Sequence, residues 1–216
     1  MAELRTEEEQ LEALKRWWHE YGKSLLLGVA VALVLFFGWQ TWQKREANQA
    51  ANASALYQNL IQSVVMQLDE GSARDLTGLQ QMADLLKADH AKSTYAGYAA
   101  LLMARVKAEE GDYAAALTEL DWVLSAKLEL DLHRVAQLRK ARVLMQLQRQ
   151  DEALILLTQF DAGAFEAQYQ EVLGDLYLQL GDEAQALTAY ERALAIPAAT
   201  ERPILQMKRD NLGEAS

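Results

Sequence analysis

The longest apolar run of the chain lies near its N-terminus, where residues 24–43 contain no charged side chain. At a rise of about 1.5 Å per residue, a helix of this length spans roughly 30 Å, the thickness of the hydrocarbon core of a bilayer. Aromatic side chains flank the run on both sides, as is typical of membrane interfaces: Trp17, Trp18, Tyr21, Trp39 and Trp42. The pattern predicts one transmembrane helix over 24–43.

The segment before this run, residues 1–23, has its apolar side chains on one helical stripe that includes Leu11, Leu14 and Trp17. We expect a short amphipathic helix here, on the surface of the membrane. A cleaved signal peptide would have a basic leader and a shorter apolar region, whereas this leader carries six carboxylates. The pattern therefore favours a retained membrane anchor.

Basic residues near the anchor predict its orientation. Four lie on the N-terminal side and two lie close on the other side: Arg5, Lys15, Arg16 and Lys23 against Lys44 and Arg45. Because basic residues are retained in the cytoplasm, the bias predicts a cytoplasmic N-terminus and a translocated C-terminal domain, which in a bacterium lies in the periplasm.

The translocated part, residues 44–216, contains a repeated pattern. Three alanines recur after 37 and then 33 residues, and a small residue precedes each alanine by twelve positions. Larger side chains stand nine positions before and four positions after each alanine. In chain order the sets are Ala104, Lys107, Ala116 and Leu120; Ala141, Leu144, Ala153 and Leu157; and Gly174, Tyr177, Ala186 and Tyr190. This is the spacing of tetratricopeptide repeats, in which the small residues lie where two helices of a hairpin cross.

The turns between the paired helices show the same periodicity. Gly111 and Gly181 stand where the first helix of a hairpin ends, whereas the middle repeat has no glycine at this point. Asp182 is predicted to cap the next helix, with Gln185 as the return half of a capping box.

These patterns predict an all-α fold, with a single N-terminal transmembrane helix followed by a tetratricopeptide-like solenoid of helical hairpins. The predicted repeats cover about 97–130, 134–163 and 167–199, and a capping helix covers 201–212. A helix pair at 44–68 and 75–88 precedes the repeats, with Ser72 as the expected cap of its second helix. The Ala/Asn-rich stretch 46–55 is either a continuation of the membrane helix or a soft linker.

The composition of the chain argues against a nucleic-acid-binding protein, a metal site and an enzyme. The net charge is −10, and the block 44–216 alone carries 17 basic and 25 acidic residues, which argues against a nucleic-acid partner. The chain has no Cys, and its histidines (His19, His90 and His133) have no second His or carboxylate at ligand spacing. We expect no catalytic residue, no cofactor and no metal site, and hence a protein that is not an enzyme.

A binding surface is predicted from the repeat register. In tetratricopeptide stacks the first helix of each repeat lines the concave face through four positions, which are here Tyr98, Leu101, Arg105 and Ala108; Val135, Leu138, Arg142 and Met145; and Gln168, Glu171, Asp175 and Leu178. This face is apolar, with two arginines at one end and two carboxylates at the other, and it suits a segment of a partner protein. Arg105 and Arg142 are the strongest candidates, because they share one repeat position and should project together. In the membrane helix, Gly28 and Ala32 form a candidate contact surface for a neighbouring helix.

Several segments are more specific than the repeat spacing. They are Lys15-Arg16-Trp17-Trp18 with Gly22-Lys23, Gly38-Trp39 with Trp42, Leu56-Tyr57-Gln58-Asn59, Ser93-Thr94-Tyr95-Ala96, and Gln206-Met207-Lys208 with Asn211-Leu212. In these segments, and over nearly its whole length, the chain resembles the YfgM family of ancillary SecYEG translocon subunits.

The resemblance implies a single-pass protein of the bacterial inner membrane with a periplasmic repeat domain. It implies as partners the SecYEG translocon and the membrane-anchored periplasmic chaperone PpiD, and a part in passing translocating polypeptides to periplasmic chaperones. Two alternatives stay open at this point. One is an envelope stress regulator that sequesters a signalling partner, and the other is a periplasmic coordinator of cell-wall or division machinery.

Overall fold

The computed structural model describes residues 7–69, 75–197 and 202–213, and within these ranges the chain is helical with no strand. The helices are α1 (Glu7–Asp69), α2 (Leu76–Asp89), α3 (Thr94–Glu109), α4 (Tyr113–Ser125), α5 (Leu130–Gln146), α6 (Gln150–Thr158), α7 (Glu166–Gln179), α8 (Glu183–Ala195) and α9 (Pro203–Gly213), with a short 3-10 turn at Gly163–Phe165. The chain forms two compact units, Met1–Ala51 and Asn52–Ser216.

Helix α1 contains the apolar run. Its segment Leu26–Gln67 is long and apolar enough to cross a membrane, and apolar side chains such as Val34 and Leu35 are exposed along it. The helix also includes residues 46–55, so the Ala/Asn-rich stretch is helical. With the hairpins described next, this confirms the predicted fold class.

The second unit is a succession of antiparallel helix pairs. Helices α3 and α4, α5 and α6, and α7 and α8 form three hairpins, each packed on its neighbours in the chain. The end of α1 and helix α2 cover one side of α3, and α9 packs on α8. A continuous apolar core runs from α3 to α7. Such a stack places the first helices of successive hairpins side by side, which positions the candidate site.

All three hairpin turns have the same geometry. Gly111 and Gly181 both adopt φ +81°, and Gln148 adopts φ +58° at the equivalent point of the middle hairpin. At each turn the next backbone N–H donates to the carbonyl five residues earlier, at 2.9 Å: Asp112 to Lys107, Arg149 to Leu144, and Asp182 to Tyr177. The middle repeat therefore forms the same left-handed helix end without glycine, at a cost of about 1–2 kcal/mol.

The helix caps partly follow the prediction. The Asp182 carboxylate accepts the backbone N–H of Gln185 at 3.0 Å, as expected of a cap. The return half of the predicted capping box is wrong, because the Gln185 side chain donates to the Asp182 carboxylate while the Asp182 N–H is taken by the Tyr177 carbonyl. Ser72, the expected cap of α2, lies outside the described residues, and the residue that caps α2 is Asp75, which accepts the N–H of Gly78 at 3.0 Å.

The small positions of the repeats are buried. Ala104, Ala141 and Gly174 lie in the core, as do the recurrent alanines of the second helices. A Cβ atom at Gly174 would lie 2.5 Å from the ring of the fully buried Tyr190, so only glycine fits this crossing. The close approach of the two helices in the last hairpin therefore depends on Gly174.

The first repeat has an ion cluster where its large apolar residue is expected. Lys107 occupies that position, and its Nζ lies 3.3 Å from Glu119 of α4. The side chain of Glu119 is 3% exposed, and its other oxygen lies 2.8 Å from Lys87 of α2. Gln80 donates a further hydrogen bond to Glu119 at 2.8 Å. One carboxylate thus joins α2, α3 and α4, and together with Asp84, which lies 2.8 Å from Lys87, it balances the charge of the two lysines.

Candidate partner-binding groove

An open groove runs along the first helices of the repeats. One part, with a volume of about 530 Å³, is lined by residues of α3, α4 and α5, and an adjoining part of about 410 Å³ extends to α7 and α9. Arg142 lines both parts, together with Tyr113 and Gln146. We call the two parts together the Arg142 groove.

Six of the twelve residues predicted for the concave face line the Arg142 groove: Arg105, Ala108, Arg142, Met145, Asp175 and Leu178. Arg105 and Arg142 line the same part of it, which is the geometry expected from their shared repeat position. Tyr98 lies outside the groove lining, in a cluster of three tyrosine rings with Tyr57 and Tyr95. Glu171 forms an ion pair with Lys208.

The structure corrects the expectation that the whole predicted face is exposed. Leu101, Leu138 and Met145 are only 5%, 3% and 3% exposed and belong to the apolar core between the hairpins. Met145 still contributes to the groove floor, whereas Leu101 and Leu138 are core residues.

A lysine of the chain itself pairs with the two carboxylates at the acidic end of the predicted face. Lys208 of α9 places its Nζ 2.7 Å from Asp175 and 3.1 Å from Glu171, and the Tyr190 hydroxyl donates to the same Asp175 oxygen at 2.9 Å. These carboxylates therefore stabilise the packing of α9 on α7. The charge that remains open to a partner is the basic one around Arg142.

This cluster predicts a loss of stability at alkaline pH. Burial, and then the charge of Asp175, raise the pKa of Tyr190 far above its ordinary value. Burial alone would lower the pKa of Lys208, but hydrogen bonds and charge from Asp175 and Glu171 raise it overall. Because both groups hold their protons more tightly in the folded chain, their contribution is complete below about pH 10 and is lost as the pH rises further.

Urea unfolding of the whole chain between about pH 8 and pH 11 measures this effect. The free energy of unfolding should fall with pH less steeply in Tyr190→Phe than in the unchanged chain. Equal slopes for the two proteins would contradict the assignment to Tyr190.

The repeat register did not predict several residues that line the groove, namely Arg139, Tyr113, Gln146 and Lys208. The Arg139 guanidinium donates to the backbone carbonyl of Leu101 at 3.0 Å. The run Arg139-Lys140-Ala141-Arg142 is the only signal in the sequence that could have indicated a basic groove.

In the first unit, Gly28 and Ala32 lie one helical turn apart on α1. A Cβ at Gly28 would meet no atom within 4 Å, and Ala32 is exposed. Within the described residues, no group of three or more His, Asp or Glu side chains is placed to hold a metal ion.

Comparisons with known proteins agree with this architecture. Residues 15–214 match the tetratricopeptide repeat-like domain family. The chain is 32% identical over 206 residues to a Haemophilus influenzae protein named "Ancillary SecYEG translocon subunit", with 95% of this chain and 97% of that protein covered. Proteins of the same name from Escherichia coli and Neisseria gonorrhoeae are 31% and 28% identical, over 95% and 98% of this chain and 96% and 100% of their own lengths. The chain belongs to the tetratricopeptide repeat-like family of ancillary SecYEG translocon subunits.

Proposed function

We propose that this protein is a non-enzymatic ancillary subunit of the Sec translocon. It acts as a membrane-tethered scaffold that links the channel to periplasmic chaperones for the handover of translocated proteins. The observation that carries the proposal is the match, over 95% of the chain, to relatives named as ancillary SecYEG translocon subunits. The combination of one apolar helix with a repeat domain fits such a role and fits an inner-membrane location.

The orientation follows from the basic residues beside the anchor. With four on the N-terminal side against two on the other, the N-terminus lies in the cytoplasm and the repeat domain in the periplasm. In this arrangement the Arg142 groove faces the compartment into which translocating polypeptides emerge. It is the proposed site for a membrane-anchored chaperone of the PpiD kind.

The contact with the channel is assigned to the membrane helix. Gly28 has no side chain and Ala32 only a methyl group, and small residues one turn apart allow two helices in a membrane to approach closely. Ala30 lies on the other side of the helix and supplies a matched control.

Site-specific crosslinking in native membranes tests the proposal, and the absence of Cys makes single cysteines unambiguous. Crosslinkers attached to Gly28→Cys and Ala32→Cys should capture channel subunits more strongly than one at Ala30→Cys. A crosslinker at Gln146→Cys in the groove should capture the chaperone, whereas one at the exposed Lys127→Cys should not. Equal capture at the test and control positions, or none, contradicts the scaffold function.

The orientation has its own test. In intact spheroplasts, a membrane-impermeant thiol reagent should label Ser216→Cys and leave Ala2→Cys unlabelled. Labelling of Ala2→Cys without Ser216→Cys shows the opposite topology and places the groove in the cytoplasm.

A further inference from the structure

Three arginines converge in the part of the Arg142 groove that lies between α3 and α5. Arg105, Arg139 and Arg142 all line it, and the carboxylate in the same lining is Glu109, which pairs with Arg105 at 2.7 Å. Among the described residues, neither Arg139 nor Arg142 forms an ion pair with a carboxylate. This spot is therefore locally cationic in a chain whose net charge is −10.

The cationic character is costly in the unbound protein. Burial, and then the charges of Arg105 and Arg142, lower the pKa of Arg139. Arginine nevertheless stays protonated at any physiological pH, so the mutual repulsion persists. An anion placed between Arg139 and Arg142 would relieve it, and a carboxylate can accept two parallel hydrogen bonds from one guanidinium.

An aromatic surface lies next to the arginines. The rings of Tyr57 and Tyr98 are 5.8 Å apart, those of Tyr57 and Tyr95 are also 5.8 Å apart, and Tyr98 is 41% exposed. The Arg139 guanidinium donates to the backbone carbonyl of Leu101, and Tyr98 precedes Leu101 by about one turn of α3. The exposed Leu178 lies at the far end of the groove. Positive charge is thus bordered by aromatic and apolar surface, which suits a peptide better than a free anion.

We propose that the Arg142 groove binds an extended acidic segment of a protein partner, with a carboxylate held by Arg139 and Arg142 and apolar side chains packed against Tyr98 and Leu178. This inference rests on the proposed function in using the groove as the partner site, and it adds the chemistry that the groove recognises. A nucleic acid fits the groove less well, because the rest of the domain is acidic and would repel its continuous negative charge.

Fluorescence anisotropy with the full-length chain in neutral detergent tests the proposal. The probes are a labelled short peptide of alternating Asp and Leu with an amidated C-terminus, the same peptide with Asn for Asp, and the Asn peptide with a free C-terminal carboxylate. The Asp peptide should bind at least about tenfold more tightly than the amidated Asn peptide, the effect of one or two lost charge-assisted hydrogen bonds. Tight binding of the Asn peptide with a free C-terminus also supports recognition of a carboxylate, in this case the carboxylate at the end of a chain.

Variants locate the site. Arg142→Gln, at an exposed position, and Arg139→Gln should each weaken binding of the Asp peptide by about tenfold. The double variant Lys92→Gln with Lys127→Gln, at exposed positions outside the groove lining, should leave binding unchanged. Equal affinity for Asp and amidated Asn peptides, an unchanged affinity of Arg142→Gln, or equal binding of a single-stranded RNA of similar length overturns the inference.

The two proposals fail separately. If saturating Asp peptide leaves the chaperone crosslink at Gln146→Cys intact, the acidic-segment inference is wrong and the scaffold function stands. If the channel crosslinks at Gly28→Cys and Ala32→Cys are absent while the peptide binds, the scaffold function is wrong and the chemistry of the groove stands.

Discussion

Replacing Gly174 by Trp is expected to unfold the last hairpin, and Ala141→Trp is expected to disrupt the middle one. At Gly174 even a Cβ atom would lie 2.5 Å from the ring of Tyr190, which is fully buried and cannot move aside without opening the α7–α8 contact. Ala141 is fully buried where α5 packs on its neighbours. Overpacking of a core typically costs about 1–3 kcal/mol and more where the surroundings are rigid, so we expect the larger loss at Gly174.

Thermal unfolding of the whole chain followed by circular dichroism measures the loss, and hydrogen exchange of peptides from α7 and α8 shows where it occurs. Gln179→Trp, at an exposed position of α7, is the matched control and should change neither. An unchanged midpoint and unchanged protection in Gly174→Trp would show that the repeat register is wrong.

Glu119→Leu is expected to destabilise the first repeat by about 3 kcal/mol, although it adds apolar surface to a buried position. The replacement removes the single carboxylate that lies between Lys87 and Lys107, whose side chains are only 13% and 17% exposed. Two largely buried lysine side chains would then lack their shared partner. Lys87 retains Asp84 at 2.8 Å, which is why we expect the lower end of the range for a broken buried pair.

The triple variant Lys87→Met, Lys107→Leu and Glu119→Leu separates charge from packing. It removes the whole cluster and restores a large apolar residue at the repeat position of Lys107. Urea unfolding should show that it regains most of the stability lost in Glu119→Leu, because apolar side chains of similar size replace buried ion pairs well. A triple variant as unstable as the single one would show that the cluster acts through its hydrogen bonds, such as that from Gln80.

The hairpins were predictable because the features that define them are local and periodic. Small residues at helix crossings, left-handed residues at turns and an uninterrupted apolar run each have a direct signal in the sequence. Even the missing glycine of the middle repeat does not alter its turn, since Gln148 takes the same conformation.

The exposure of the binding face was less predictable, because it depends on how far adjacent hairpins open. The register identified Arg105 and Arg142 as neighbours, but it also selected Leu101, Leu138 and Met145, which lie in the core. The pairing of Lys208 with Asp175 links residues 33 positions apart in different helices. The periodicity of the sequence does not indicate such a contact between distant helices. It likewise gives no indication that Glu119 pairs with Lys87 and Lys107.

Reversal of the two exposed groove arginines tests directly whether this protein joins the channel to a chaperone through its repeat domain. The full-length chain carrying Arg105→Glu and Arg142→Glu should be isolated from native membranes and compared with the charge-matched control Lys92→Glu with Lys127→Glu. We expect the arginine variant to keep its helicity and its association with channel subunits and to lose the chaperone, while the control keeps both. Retention of the chaperone by the arginine variant would show that the chaperone does not bind through the groove and docks on another surface.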